Sequence, residues 1–148
     1  MKHGAKMIQA VANATVPQLT VLIGGSFGAG NYGMCGRPFH PRFIFGWPNA
    51  RTAVMGGEQA AKVMSIVFGE KLARQGQTVD EAQIKAFCQP IIDQFDKESH
   101  PFNGSARMFD DGLIDPRDTR RVLGFALSVC REAKRRQVHP NTFGVARL

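Results

Sequence analysis

The chain has 148 residues, 43% of them hydrophobic and 21% charged, and a formal net charge of +7. That length holds one domain with a real core, the mixture is ordinary for a soluble globular protein, and no apolar run approaches the ~20 residues of a membrane span. Cys35, Cys88 and Cys130 lie far apart without zinc spacing to one another or to a histidine, so a reducing compartment and no metal site are expected.

Residues 3–14 place Met7, Ile8, Val11 and Ala12 on one helical face. Lys2, Lys6 and Ala12-Asn13-Ala14 imitate a secretory leader. Gln9 and Asn13 cut the apolar stretch below the ~7–15 residues of such a leader's core, which leaves an amphipathic helix. Pro17 ends it, and residues 19–23 read as a short buried strand. That strand runs into Gly24-Gly25-Ser26-Phe27-Gly28-Ala29-Gly30-Asn31-Tyr32-Gly33-Met34-Cys35-Gly36, where nearly every second residue is glycine. Residues 29–35 begin a buried helix, and 37–42 form a polar loop with two prolines.

Residues 43–47 and 51–55 are two further strand candidates, separated by the turn Pro48-Asn49. The second meets the pair Gly56-Gly57 before a helix from Glu58 to about Lys71, so a strand–glycine–helix passage occurs twice. Thr78 and Glu81 have the form of a capping box ahead of a helix that carries Ile84, Phe87, Cys88, Ile91, Ile92 and Phe95 on one side. Pro90 should kink or divide that helix. Residues 100–107 read as irregular, Asp110-Asp111-Gly112 as a turn and Leu113-Ile114 as a short apolar link. Asp115 caps a last helix with Pro116 at its first position and Val122, Leu123, Ala126, Val129 and Cys130 on its apolar face. Between 116 and 148, eight Lys/Arg stand against two acids, which places +6 of the charge there. The run lacks the basic–aromatic interleaving of a nucleic-acid surface and reads as a solvated or subunit-facing helix side, with an extended tail beyond Arg136. Short strands alternating with helices indicate an α/β chain with crossover connections.

The glycine stretch satisfies two side-chain motifs and one main-chain reading. Gly28-Ala29-Gly30-Asn31-Tyr32-Gly33 fits the dinucleotide fingerprint, but the region near Asn49 and Ala50 offers no acid to hold a ribose. Gly24-Gly25-Ser26-Phe27-Gly28 fits a nucleophile elbow, with Asp110 or Asp115 and then His139 in hydrolase order, although 148 residues are few for such a sheet. The main-chain reading needs no nucleophile: a strand that turns into a helix presents free N–H groups to an oxyanion, and glycine keeps side chains out of its way.

The run from Gly24 to Arg37, then Pro41-Arg42-Phe43, Trp47-Pro48-Asn49-Ala50-Arg51 and Val54-Met55-Gly56-Gly57-Glu58-Gln59-Ala60-Ala61, resembles the carboxyltransferase (β) subunit of biotin-dependent acyl-CoA carboxylases. Ser105-Ala106-Arg107, Asp110-Asp111-Gly112-Leu113-Ile114-Asp115-Pro116-Arg117-Asp118-Thr119-Arg120 and Phe143-Gly144-Val145 match its methylcrotonyl-CoA carboxylase branch. Phe102-Asn103-Gly104 and the ending Val145-Ala146-Arg147-Leu148 depart from that branch in ways that point to geranyl-CoA carboxylase, a relative with a longer substrate.

The resemblance implies an α/β crotonase-like fold of superhelical β-β-α units, with residues 1–148 forming the C-terminal part of the second carboxyltransferase domain and the N-terminal domain absent. The implied reaction moves a carboxyl group from carboxybiotin to the γ-carbon of an enoyl-CoA such as 3-methylcrotonyl-CoA, a carbon acidified through the conjugated thioester. The backbone N–H groups of Ala29 and Gly30 are the implied catalytic donors. Gly28 shapes the turn, and Phe27, Tyr32, Met55 and Gly56 are candidates to line the biotin or acyl pocket. The implied cofactor is biotin on a partner subunit or domain, with acyl-CoA as substrate. Implied partners are the biotin carboxylase/biotin carrier (α) subunit and the N-terminal domain or neighbouring β subunits in a homo-oligomer, with no nucleic acid and no membrane. The implied location is cytoplasmic, or the mitochondrial matrix in a eukaryote. Two other classes stay open: a non-catalytic module that docks a biotinyl domain or subunit, and a serine hydrolase on Ser26.

Overall fold

The computed structural model describes residues 2–76 and 80–138. Helix α1 (Lys2–Ala12) leads to strands β1 (Leu19–Leu22) and β2 (Gly25–Phe27) and a six-residue helix α2 (Gly28–Gly33). A 3-10 turn at Arg37–Phe39 precedes β3 (Phe43–Gly46), β4 (Arg51–Ala53) and the long helix α3 (Gly57–Arg74). Helices α4 (Glu81–Glu98), α5 (Pro101–Ala106) and α6 (Thr119–Arg135) complete the chain, with a second 3-10 turn at Pro116–Asp118.

The strands form two parallel pairs. Leu19 to Leu22 of β1 lie in register with Phe43 to Gly46 of β3, and Gly25, Ser26 and Phe27 of β2 with Arg51, Thr52 and Ala53 of β4. The chain therefore builds one β-β-α unit from β1, β2 and α2, and lays a second one, from β3, β4 and α3, beside it. This is the unit the resemblance implies. Residues 19–22 and 43–46 are apolar enough to bury, and Ile44, Phe45 and Gly46 are buried at the centre. The far edge of β3 is served by the acidic turn: Asp111 accepts from the Ile44 N–H through its carboxylate (2.7 Å) and donates its own N–H to the Ile44 carbonyl (2.7 Å). Gly46 then exchanges backbone bonds with Gly112 and Ile114. A short polar turn thus satisfies backbone groups that burial would otherwise leave unpaired.

Helices α3 and α4 pack as an antiparallel hairpin. Ala60, Ala61, Leu72 and Cys88 are buried between them, and the Phe68 and Phe87 rings stack at 4.4 Å. Small residues permit the approach: an added Cβ on Gly57 would lie 3.2 Å from the Ile92 carbonyl oxygen. Elsewhere apolar surface stays open. Among the described residues no large side chain is fully buried, and Ile66, Val67 and Phe125 are more than half exposed.

Five expectations change. The glycine stretch is not one turn, because three of its residues form β2, a strand that exists through its pairing with β4. Helix α4 runs undivided through Pro90; both Ala86, whose carbonyl loses its usual donor, and Pro90 are exposed, so water can serve that carbonyl. Its cap is Asp80, which accepts from the Ala82 N–H at 3.1 Å, while Thr78 of the expected capping box lies outside the described residues. Residues 101–106 are helical, with Pro101 at the first turn, where its missing N–H is harmless. Asp115 does cap as expected, accepting from the Arg117 N–H, but the element that it caps is the 3-10 turn before α6.

Candidate functional site

Because β2 and β4 are parallel and in register, both β-to-helix turns fall at the same end of the pair. Phe27 faces Ala53 across the pair, so Gly28 follows directly beside Val54. Gly28 has φ of +52°, and a Cβ there would meet the Val54 carbonyl oxygen at 2.8 Å. Only glycine takes that backbone conformation and that closeness together without strain. The sharp reversal turns the chain from β2 straight into α2.

Helix α2 begins with its donors free. Phe27 sits at the cap position with extended backbone and no side-chain hydrogen bond, and the first turn carries no acid. The first N–H groups of any helix lack an intrahelical acceptor, and they sit at the positive end of the helix dipole. Here they belong to Gly28, Ala29 and Gly30, and the last two residues are exposed. Among the described residues, apart from chain neighbours and the helix's own backbone, no atom lies within 4 Å of a Cβ built on Gly30 or on Gly56. An oxygen carrying partial negative charge would find donors and open space at this turn.

The other predicted residues divide between two places. Met55 and Gly56 are half-buried in the neighbouring turn that enters α3, beside Gly28 through Val54. The Phe27 ring folds back over Gly25 of its own strand, so that a Cβ on Gly25 would meet it at 2.9 Å. Tyr32, half exposed, lies instead on a cavity of about 760 Å³ that also reaches Asn31, Arg37, Val54, His100 and Arg107. One cavity wall is tied by Arg37, whose Nε donates to the Phe109 carbonyl (3.3 Å) and whose Nη2 stands 3.7 Å from Asp111. Neither Arg37 nor Asn31 stood out in the sequence, since nothing at five- or seventy-residue separation announces a contact.

Ser26 does not sit at a nucleophile elbow. It lies inside β2, and its hydroxyl accepts from the Asn31 side-chain amide at 2.9 Å. Asp110 is held by the Ser105 hydroxyl and the Gly112 N–H, and Asp115 by a two-pronged bond to Arg117. The Arg117 guanidinium and backbone N–H hold the Asp115 carboxyl at about 2, below the ordinary carboxylate range. Burial pushes the Cys35 thiol up, against the opposing hydrogen bond with Thr20. His139 lies outside the described residues. Among the described residues no helix is long and apolar enough to cross a membrane.

Comparison with known proteins agrees with this architecture. Residues 1–145 match the carboxyl transferase domain. The chain is 54% identical, over 99% of its length, to the biotin-dependent 3-methylcrotonyl-coenzyme A carboxylase beta1 subunit of Mycobacterium tuberculosis. It is 47% identical, again over 99% of its length, to the mitochondrial methylcrotonoyl-CoA carboxylase beta chain of Dictyostelium discoideum. The beta subunit of geranyl-CoA carboxylase from P. aeruginosa superposes with a TM-score of 0.84 at 53% identity, covering 100% of this chain and 27% of that one. The chain spans 27% and 25% of the two curated relatives, about a quarter of their length. Its fold is that of these crotonase-like carboxyltransferase subunits, in part. The two stacked β-β-α units, the glycine turn between them and the match over residues 1–145 place the chain in the carboxyl transferase domain family.

Proposed function

We propose that this chain is the C-terminal part of the second domain of a carboxyltransferase subunit, working in a biotin-dependent acyl-CoA carboxylase. The carrying observation is the 54% identity to the 3-methylcrotonyl-CoA carboxylase subunit, sustained across 99% of the chain. A partner-borne biotin, held at its ureido oxygen by the Ala29 and Gly30 N–H groups, would supply the carboxyl group that bonds to the acyl-CoA γ-carbon and would take up the proton this carbon gives up. The chain's own part is electrostatic. The Ala29 and Gly30 N–H groups donate to the oxygen on which negative charge develops, and Gly28 holds the turn that aims them. The fit is chemical: a ureido oxygen is an acceptor without a proton, and the turn offers donors with no acid in the first turn of its own helix. Met55 and Gly56 flank the same end, whereas the Phe27 ring packs on Gly25 of its own strand and Tyr32 lines the separate cavity, where it is a candidate wall for the acyl group.

The reading includes partners. Exposed Ile66, Val67 and Phe125 leave apolar surface that further protein would cover. We assign the occupants as the N-terminal carboxyltransferase domain, neighbouring β subunits of a homo-oligomer and the biotin-bearing α subunit. The location that goes with this reading is the cytoplasm in a bacterium and the mitochondrial matrix in a eukaryote; the Dictyostelium discoideum relative is named mitochondrial.

Gly30→Val in the complete subunit tests the site. Among the described residues nothing outside its own helix turn lies within 4 Å of the new Cβ, so the fold should persist. Carboxyl transfer should fall on the order of 100-fold, as much as losing one oxyanion donor, because the valine side chain keeps the oxygen away from N–H groups that the substitution itself retains. Unchanged transfer would remove Ala29 and Gly30 from the mechanism. A second acyl group has its own support, since the geranyl-CoA carboxylase subunit is 53% identical. Assaying 3-methylcrotonyl-CoA against geranyl-CoA decides between the two.

A further inference from the structure

We propose that Asn31 is a positioning residue for the α2 donors, acting through a clamp that joins Ser26, Asn31 and Gly36 and resting on the assignment of Ala29 and Gly30 above. Helix α2 cannot hold itself. It has six residues, three of them glycine, against the ~12–15 that an isolated helix needs even in a favourable sequence. Each interior glycine weakens it further. No side chain caps its start. The direction of its donors must therefore be fixed from outside the helix.

Asn31 supplies three such fixtures. Its side-chain Nδ2 donates to the Ser26 Oγ at 2.9 Å, which ties α2 back to the strand it has just left. Its carbonyl accepts from the Gly36 N–H at 2.9 Å, which ties it to the segment that follows. Its carboxamide oxygen leaves no room on the third side, because a Cβ on Gly36 would stand 2.1 Å from it. Strand, helix and following turn are thus locked at residues 26, 31 and 36, each five apart. The hydroxyl of Ser26 serves as an acceptor, which is a role quite different from nucleophilic attack.

The clamp acts on turnover and not on acyl-CoA binding. In the complete subunit assembled with its biotin-bearing partner, Asn31→Ala should lower kcat about 10-fold while leaving the KM for acyl-CoA within twofold. Ser26→Ala, the milder change, should lower kcat about fivefold. The double variant should be no slower than Asn31→Ala, because both remove one bond. Ser26→Thr keeps the hydroxyl and should restore most of the rate. Asn31→Ala with kcat within twofold of the parent, or single effects that multiply in the double variant, would overturn the clamp. So would equal losses in Ser26→Thr and Ser26→Ala. A parent subunit without carboxyl transfer would instead overturn the functional reading itself, whereas a Ser26→Ala loss of ten-thousandfold would make Ser26 a nucleophile.

Discussion

The turn from β2 into α2 and the turn from β4 into α3 lie side by side, and both pass from a parallel strand into a helix through glycine. They lead to helices of 6 and 18 residues. Helix α3 stands on its packing: Ala60, Ala61 and Leu72 are buried, and it pairs with α4 along its length. It also carries Glu58 in its first turn, a carboxylate at the positive end of its own dipole. Helix α2 has only Gly33 buried, against Met7 of α1, and no acid in its first turn, where the position corresponding to Glu58 is Ala29. A start that is already neutralised stabilises a helix, whereas a bare start is available to a ligand. The donor end is bought with stability, and the strand before α2, the turn after it and helix α1 supply what it lacks.

The largest break in the comparison should come from Gly28→Val. It combines a φ of +52° with a Cβ 2.8 Å from the Val54 carbonyl oxygen. We expect a loss of about 2–4 kcal/mol in denaturant unfolding and no measurable carboxyl transfer. Ala29→Glu should give α2 the acid that α3 has. Transfer should drop about 100-fold, while stability is unchanged or rises by about 0.3–1 kcal/mol; a parallel loss of both would undo the argument. Gly57→Val presses instead on the Ile92 carbonyl oxygen at 3.2 Å. It should cost about 1–3 kcal/mol, with kcat of the surviving folded enzyme nearly intact. The smallest effect lies outside both turns. Asp115 is held at about 2 by Arg117, below its ordinary 3.8. Its lowered folded value stabilises the fold above pH 3.8, and that contribution is lost as the pH falls through about 2. In an acid titration, Asp115→Asn should therefore flatten the stability curve only in that window.

The long elements were legible because their patterns are local. Helices α1, α3, α4 and α6 announce themselves by apolar residues three and four apart, and β1 and β3 by short apolar runs between glycine or proline. What failed was non-local. Strand β2 has no alternation of its own, being Gly-Ser-Phe, and exists because Arg51–Ala53 lies beside it. Pro90 looked like a breaker, but the solvent side of an amphipathic helix tolerates the missing donor. The cap fell on Asp80 because it stands directly before the first helical residue.

By itself the sequence determined the helical and apolar periodicities, the doubled strand–glycine–helix passage and, through its residues in register, the family. Repeated glycine marked the stretch 24–36 as backbone that must bend or come close, and the resemblance then pointed to Gly28, Ala29 and Gly30 within it. Only the tertiary structure decided that the two passages lie parallel, that Gly28 owes its identity to the Val54 carbonyl, and that Ser26 serves Asn31. Those facts depend on contacts between residues far apart in the chain or on opposite ends of a turn. Periodicity carries no record of them, because they arise only when two units have stacked.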